Sequence, residues 1–394
     1  MTTKTSSELT FDVLRKAVNE GVAFRCRRRL QPAGGPGDKV FPPTYEGGKY
    51  ATETRVIDGE RIPCVLLDSV QSQANRMELA LKAAYYRPGA ETAEIPIVAV
   101  DFPSADLPEV GWITSLDAPH RIADAILRDS LYNEHKFRET EEGKAFTEAT
   151  GQNATALFGL CPLALTLGMW DSTGPKGGLG TKIQRALVSE IVAINAETGK
   201  RTSSRIDPLN IALGAGPVYK TKDGGWDVAK EGKNSGKGDR PSEVNHGNVT
   251  PSISEGGITC DYALQTTVLS LTALRRLHFP VKKDKYADVE ARTTLAALGL
   301  CGAVLAQSDA DLRSRCLLVP EAPAVWENIA ADGAVSEHTL DAKKAKALFA
   351  EAVAEAKSAG LPWRSEVLVL QPSPPLVELV RRSRDIQMAQ PAEA

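Results

Sequence analysis

The sequence predicts an α+β fold, an antiparallel sheet with helical insertions. Two observations carry that prediction. Strand-like and helix-like patterns alternate irregularly along the 394 residues, without the regular strand–helix rhythm of a parallel sheet. Two turn signals, Asp58-Gly59 and Asp223-Gly224-Gly225, sit between strand-like runs and mark hairpins. No internal repeat breaks the chain into units.

Taken in order, Phe11 to Val18 has the spacing of a short amphipathic helix. GVAFRCRRRL follows as a strand: Phe24, Cys26 and Leu30 share one parity, Arg25, Arg27 and Arg29 the other. Three inward arginines without partners would be prohibitively costly, so their face meets water or phosphate. QPAGGPGDKVFPPTYEGGK is a loop, and two strands follow across Asp58-Gly59. SVQSQANRMELALKAAY is a helix with Val70, Ala74, Met77, Leu81 and Ala84 on one face; Gln71, Asn75, Arg76 and Lys82 lie off it. IPIVAVDF reads as a strand, roughly Ala118 to Tyr132 as a helix, and ALFGLCPLALTLGMW as a buried strand pair. PVYKTKDGGWDVAK is a hairpin exposing Lys220, Lys222 and Trp226, a basic and aromatic ribbon suited to stacking on bases. An ordinary surface hairpin is the alternative. KEGKNSGKGDR after it reads as flexible, and VNHGNVTPSISEGG as a polar loop. TTVLSLTALRRL predicts a helix with Val268, Leu271 and Leu274 inward, and RTTLAALGLCGAVLAQ a second, mostly apolar one. LRSRCLLVP is a strand carrying Arg313 and Arg315, and the tail beyond about Arg384 is expected to be disordered.

Composition excludes several classes. With 42% hydrophobic residues the chain can bury a substantial core, and its formal charge of −3 is not that of a globally basic protein. The polar start MTTKTSSELT has no signal-peptide pattern, and no run of eighteen apolar residues predicts a membrane span. Six scattered cysteines without a C-x-x-C pair argue against zinc and disulfides and suit a reducing cytosol; five dispersed histidines offer no metal site. The charge is uneven, however. Acids outnumber bases about two to one between residues 87 and 150, whereas bases prevail from Lys176 to Arg240 and cluster again at Arg25, Arg27, Arg28 and Arg29. Local basic stripes on a near-neutral chain point to a directed polyanion contact.

The stretch WDSTGPKGGLGTKIQRALVSEI has four glycines in seven residues. It is not a P-loop, because Thr181-Lys182 reverses the required order, and no dinucleotide fingerprint can be read. Thr181 and Gln184 form a capping box, and Ile183, Leu187, Ile191 and Ile194 predict a helix from about Lys182 to Asn195. The free N–H groups of its first turn, Gly174, Gly177, Gly178 and Gly180, and the cations Lys176, Lys182 and Arg185 suit a phosphate. The alternative is a glycine turn needed only for packing.

Several of these stretches together resemble a known family: LQPAGGPGDKVFPPTYEGGKY, DSVQSQANRMELAL, the glycine-loop stretch, PSEVNHGNVTPSISEGGITCDYALQTTVLSLTALRRLHFP and LRSRCLLVP. From about residue 15 to 320 the chain resembles the backbone subunit of the type I CRISPR interference complex, Cascade, in subtype I-G (formerly I-U), of the RAMP superfamily. The resemblance implies a non-catalytic, cytoplasmic subunit without a cofactor. It implies an RRM-like (ferredoxin-like) palm, a helical finger insertion and a β-hairpin thumb. Copies would stack as a helical filament along the guide RNA, and the thumb would interrupt the guide–target duplex at intervals. The implied partners are the CRISPR guide RNA, the target DNA strand in the R-loop, further copies of the chain, and the large and guide-processing subunits, with no membrane. Cleavage would come from a separate nuclease-helicase. Mapped onto this sequence, 1–86 begins the palm, with the Gly/Pro-rich loop and hairpin; 87–155 is the acidic, largely helical finger, away from RNA; 156–216 is palm with the glycine loop; 217–240 is the thumb and flexible basic tract; 241–320 completes the palm; and 321–394 is a C-terminal helical segment and disordered tail. Guide RNA would be held by Arg25, Arg27, Gln71, Asn75, Arg76, Lys176, Gly177, Gly178, Lys182, Arg185, Asn245, His246 and Asn248, with Lys220, Lys222 and Trp226 on the thumb. Backbone contacts read no sequence, which suits a subunit that must accept any guide.

Two rivals remain at this stage. Related type III backbone subunits cut RNA with an aspartate in a loop after the first strand, and Asp38 in GGPGDK stands in a comparable place. No second acid or histidine accompanies it, Lys39 would repel a cation, and a turn role is simpler. The other rival is a nucleotide-hydrolysing site at the 174–182 loop, disfavoured by its motif order.

Overall fold

The computed structural model describes residues 6–173, 180–212, 214–221, 224–228 and 238–389. The chain divides into one unit of Met1–Ala196 with Cys260–Val377 and another of Glu197–Thr259 with Glu378–Ala394. The architecture is mixed α and β with several sheets, the α+β class expected.

The first unit is organised by a nine-stranded sheet: Ser7–Glu8 (β1), Gly21–Pro32 (β2), Thr52–Ile57 (β3), Glu60–Asp68 (β4), Leu187–Ile194 (β5), Tyr262–Ser270 (β6), Leu318–Pro320 (β7), Trp326–Ala330 (β8) and Val335–Thr339 (β9). The spatial order is β1-β9-β8-β2-β6-β5-β4-β3, with β7 also beside β2. Every pairing is antiparallel except β1 with β9. Asp58 and Gly59, both at positive φ, make the expected β3–β4 turn.

Helices cover one face. Phe11–Glu20 (α1) is capped by Thr10, whose side chain accepts from Val13 N, and turns Leu14, Ala17 and Val18 inward. Val70–Tyr85 (α2) is capped by Ser69 and buries Ala74, Met77 and Leu81. Asp288–Gln307 (α3) packs against α1 and α2, and Ala342–Ser358 (α4) covers it. Enclosed in this way, α3 buries residues all round its axis, each fully buried Leu contributing roughly 1.5–3 kcal/mol. The composition of α3 also passes the length and hydropathy test for a membrane span, which the sequence reading did not anticipate, but 78% of that window is buried inside the protein. The parity expected for β2 holds: Phe24, Cys26 and Leu30 are fully buried, and Arg28, on the same parity, is buried with them.

A second sheet carries the residues after 87. Val98–Asp101 lies between Trp112–Thr114 and the C-terminal strand Leu368–Pro372, which continues to Ser130–Tyr132 and His135–Lys136. The single helix expected from Ala118 to Tyr132 is instead a 3-10 turn at Arg121–Ala123, one turn at Ala125–Arg128 and a strand. Helical content between 87 and 155 is therefore limited to short pieces.

Other expectations invert. Residues 182–195 are not a helix: Lys182–Ile183 is a short strand and Leu187–Ile194 is β5. The apolar residues there fit both periods, and pairing on both sides with β4 and β6 selects strand. The first five residues of TTVLSLTALRRL belong to β6, whose inward residues are Ala263, Gln265, Thr267 and Leu269, and a single helical turn follows at Leu271–Leu274. ALFGLCPLALTLGMW holds the helices Thr155–Leu160 and Pro162–Thr166, where Ala and Leu favour helix and Pro162 opens the second; only Met169–Trp170 is strand. In LRSRCLLVP only Leu318–Pro320 is strand, so Arg313 and Arg315 lie in the preceding loop. The helix Pro374–Ala389 continues past Arg384, where disorder was expected.

In the second unit, Glu197–Arg205 and Val249–Thr259 pair as a long two-stranded ribbon whose residues are largely exposed. Tyr219–Lys220 pairs with Trp226–Asp227 in the hairpin expected from the sequence.

Candidate nucleic-acid interface

Met169–Trp170 and Lys182–Ile183 pair antiparallel, so the glycine loop joins two strands. The helix N-terminus on which the first phosphate argument relied does not exist. Nor does the capping box: Thr181 Oγ1 donates to Thr147 O, and Gln184 Oε1 accepts from Arg276. Lys176, Gly177 and Gly178 lie outside the described residues. The root of the loop is firmly held. Asp171 N donates to Thr181 O at 2.9 Å, and the buried Asp171 carboxylate meets Arg138 at 2.6 Å.

Beside this root opens a groove of about 780 Å³. It gathers four of the predicted residues, Gln71, Asn75, Lys182 and Arg185, with His120, Arg121 and Trp170 also in its wall. Gln71 and Asn75 are one helical turn apart on the exposed stripe of α2. Arg185 Nε donates to Leu167 O at 3.0 Å. Burial, then repulsion from Arg121, lowers the Arg185 guanidinium pKa. Gly168, at φ +83°, allows this approach; a Cβ there would stand 3.0 Å from Arg185 Cα. Beneath the wall Arg121 pairs with buried Glu78 at 2.6 Å and donates to Gly168 O. Burial raises the Glu78 carboxyl to about 7 despite the pull of Arg121. The described residues that line the groove include three cations, Arg121, Lys182 and Arg185, and no carboxylate, so its wall has an excess of positive charge.

Of the other predicted residues that the structure describes, none lines this groove. Arg76 belongs to a buried cluster around Asp68, which accepts from Arg76 Nε at 2.9 Å, Gln73 Nε2 at 2.6 Å, Ser72 Oγ at 2.8 Å and Arg313 Nη2 at 3.3 Å. Arg25 and Arg27 are on the helix-free face of the sheet. Arg25 pairs with Glu327 at 2.5 Å, and Arg29 lies 3.8 Å from the Tyr262 ring centroid and pairs with Glu321. Arg27 is exposed and lines a shallow recess with Arg29 and Tyr262.

Asn245, His246, Asn248, Lys220 and Trp226 are in the second unit. The Trp226 and His246 rings meet edge to face at 5.2 Å, so the expected hairpin and the later loop come together. Lys220 pairs with Trp226 across the hairpin. Asn248 Oδ1 accepts from Asp207 N at 2.6 Å, and Asn245, in the left-handed region, accepts from Arg205 through its carbonyl. Asn248 therefore shapes the loop. Lys222 lies outside the described residues.

Sequence reasoning assigned no role to His120, Arg121, Glu78 or Trp170. Arg121 and Glu78 stand 43 positions apart, with no shared pattern to pair them. An aromatic residue directly before a glycine loop was the one available cue, at Trp170. At the rival site, Asp38 Oδ1 accepts from Lys39 N, in a recess lined by Lys39 and Arg315. Among the described residues no three His, Cys, Asp or Glu side chains are grouped to hold a metal.

Residues 24–198 match the family described as CRISPR-associated protein GSU0053. Every residue named in the groove falls within that span. The resemblance to CRISPR-associated proteins is thereby shown. No curated protein matches the chain in sequence. Among solved structures, a chain of a "CRISPR RNA-guided surveillance complex, pre-nicking" is similar at 10% identity and a TM-score of 0.36, over 92% of this chain and 99% of that one. The crystal structure of Thermofilum pendens Csc2 is similar at 10% identity and a TM-score of 0.27, over 95% and 79% respectively.

Proposed function

We propose that this CRISPR-associated chain is a guide-RNA-binding backbone subunit of a type I Cascade complex, in the subtype called I-G. The observation that carries the reading is the groove, where Gln71, Asn75, Lys182 and Arg185 converge with excess positive charge beside the strand pair Met169–Trp170 and Lys182–Ile183. Two carboxamides and two cations suit a sugar-phosphate backbone, which is common to every guide sequence.

The fold adds support. β2, α2, β5, β6, α3 and β8 occur in this chain order, with insertions between them, as β-α-β-β-α-β, and the sheet order β8-β2-β6-β5 supports the reading as an RRM-like palm. The β3–β4 hairpin enters this series after β2. In the second unit, the exposed ribbon with its nested Trp226–His246 contact is the natural thumb, larger than the 217–240 hairpin alone. Copies of the chain would line up along the guide RNA in the cytoplasm, with the target DNA strand pairing to the guide and other Cascade subunits closing the ends. The chain's role is structural in this reading, with Asp38 a turn residue.

The test is co-expression of the tagged chain with the neighbouring CRISPR proteins and a guide array, followed by extraction of nucleic acid from the purified material. A discrete RNA band of guide length in a multi-copy particle is the expected result. Protein purified free of RNA and of partners would overturn the reading.

A further inference from the structure

This inference rests on the nucleic-acid reading of the groove and adds a residue that reading does not use. We propose that the groove holds one unstacked base of a single-stranded nucleic acid against the indole of Trp170. In the short hairpin the pairs Met169–Ile183 and Trp170–Lys182 face opposite ways. Met169 and Ile183 are buried at 6% and 5% exposure, while Trp170 stands 56% exposed. Trp is highly buried on average, and here the indole is open to a ligand. The Lys182 ammonium lies 5.5 Å from the ring centroid, which steadies the ring from one side. Asp171, the next residue, is fixed by Thr181 and Arg138, so the platform is set before any ligand arrives.

The chemistry around the ring selects the ligand. Arg185 and Lys182 suit a phosphate. The Gln71 and Asn75 carboxamides each carry donors and an acceptor, and so can meet the edge of any base. A flat apolar face beside cations and amphoteric amides matches a nucleotide; an acidic peptide would satisfy the cations and leave the indole idle. The volume of about 780 Å³ lies within the range of small-molecule sites. Bases in a duplex keep their faces inside the stack, so the groove favours single strands.

The experiment measures binding of a labelled oligouridylate, and of an abasic ribose-phosphate oligomer of equal length, to the full chain. Wild type, Trp170→Ala, Trp170→Phe and Arg185→Ala are compared. The wild type is expected to favour the base-bearing oligomer about tenfold at this site. Trp170→Ala should lose that preference with its salt dependence unchanged, and Trp170→Phe should keep most of it. The same preference in wild type and Trp170→Ala overturns the stacking proposal, and so does equal binding of a duplex of that length to the wild type. If Arg185→Ala also binds as wild type, the phosphate reading of the groove fails as well; if Arg185→Ala alone weakens binding, that reading survives without the stack.

Discussion

Replacing Lys182 and Arg185 together by alanine tests the groove most directly. Both side chains line it. Arg185 is a half-buried cation whose charge is disfavoured by burial and by Arg121, so removing it relieves a repulsion. Its loss leaves the carbonyl of Leu167, a residue only 1% exposed, without its partner. The variant should therefore lose about 1–3 kcal/mol of stability and still fold. Each phosphate contact on a single strand contributes about 0.7 to the slope of log affinity against log salt, so losing two should flatten it by about 1.4. In an open groove each charge-assisted hydrogen bond contributes at the low end of its range, about 1.5 kcal/mol, and the double variant should bind roughly 100-fold more weakly. Fluorescence anisotropy with an oligouridylate across a salt series gives both quantities. Arg15→Ala, which removes an exposed pair with Glu290 elsewhere, is the control and should bind as wild type. An unchanged slope in the double variant, with the fold intact by circular dichroism, would refute the assignment.

Two further outcomes follow from buried charges beneath these surfaces. Asp68 is fully buried and serves two guanidiniums and two neutral donors, so Asp68→Asn should cost about 3 kcal/mol, below the full penalty for a broken buried pair because Arg76 and Arg313 are each about a quarter exposed. Urea unfolding measures this, and a loss under about 1 kcal/mol would show that the cluster is not a structural centre. Glu78 has its folded pKa raised from 4.5 to about 7, so between those values the folded protein keeps a proton the unfolded chain has released. The contribution of Glu78 is then most favourable below pH 4.5, declines as pH rises to about 7, and is level above it. Glu78→Gln should flatten the stability profile across that window, and identical slopes in variant and wild type would refute the burial argument.

Where local chemistry decides structure, the sequence by itself was enough. Residue parity along GVAFRCRRRL set which side chains of β2 enter the core, because a strand alternates whatever its neighbours. The apolar stripe of α2, and Asp58-Gly59 between β3 and β4, are likewise self-contained signals. The motifs also carried the likeness to CRISPR-associated proteins, which the family match supports over residues 24–198, part of the span from about 15 to 320. Residues 187–194 and 266–270 are strand where a helix was expected, because short apolar runs fit both periods and β4, β5, β6 and β2 supply one another with backbone partners; only the turn Leu271–Leu274 is helical as expected. The groove, too, is a tertiary fact. Gln71, Asn75, Arg121, Trp170 and Arg185 have no common motif, and it is the pairing of Met169–Trp170 with Lys182–Ile183 beside α2 that brings them to one wall. The same packing draws Arg76 away to Asp68, since a buried carboxylate must be satisfied by whichever donors the fold sets within reach.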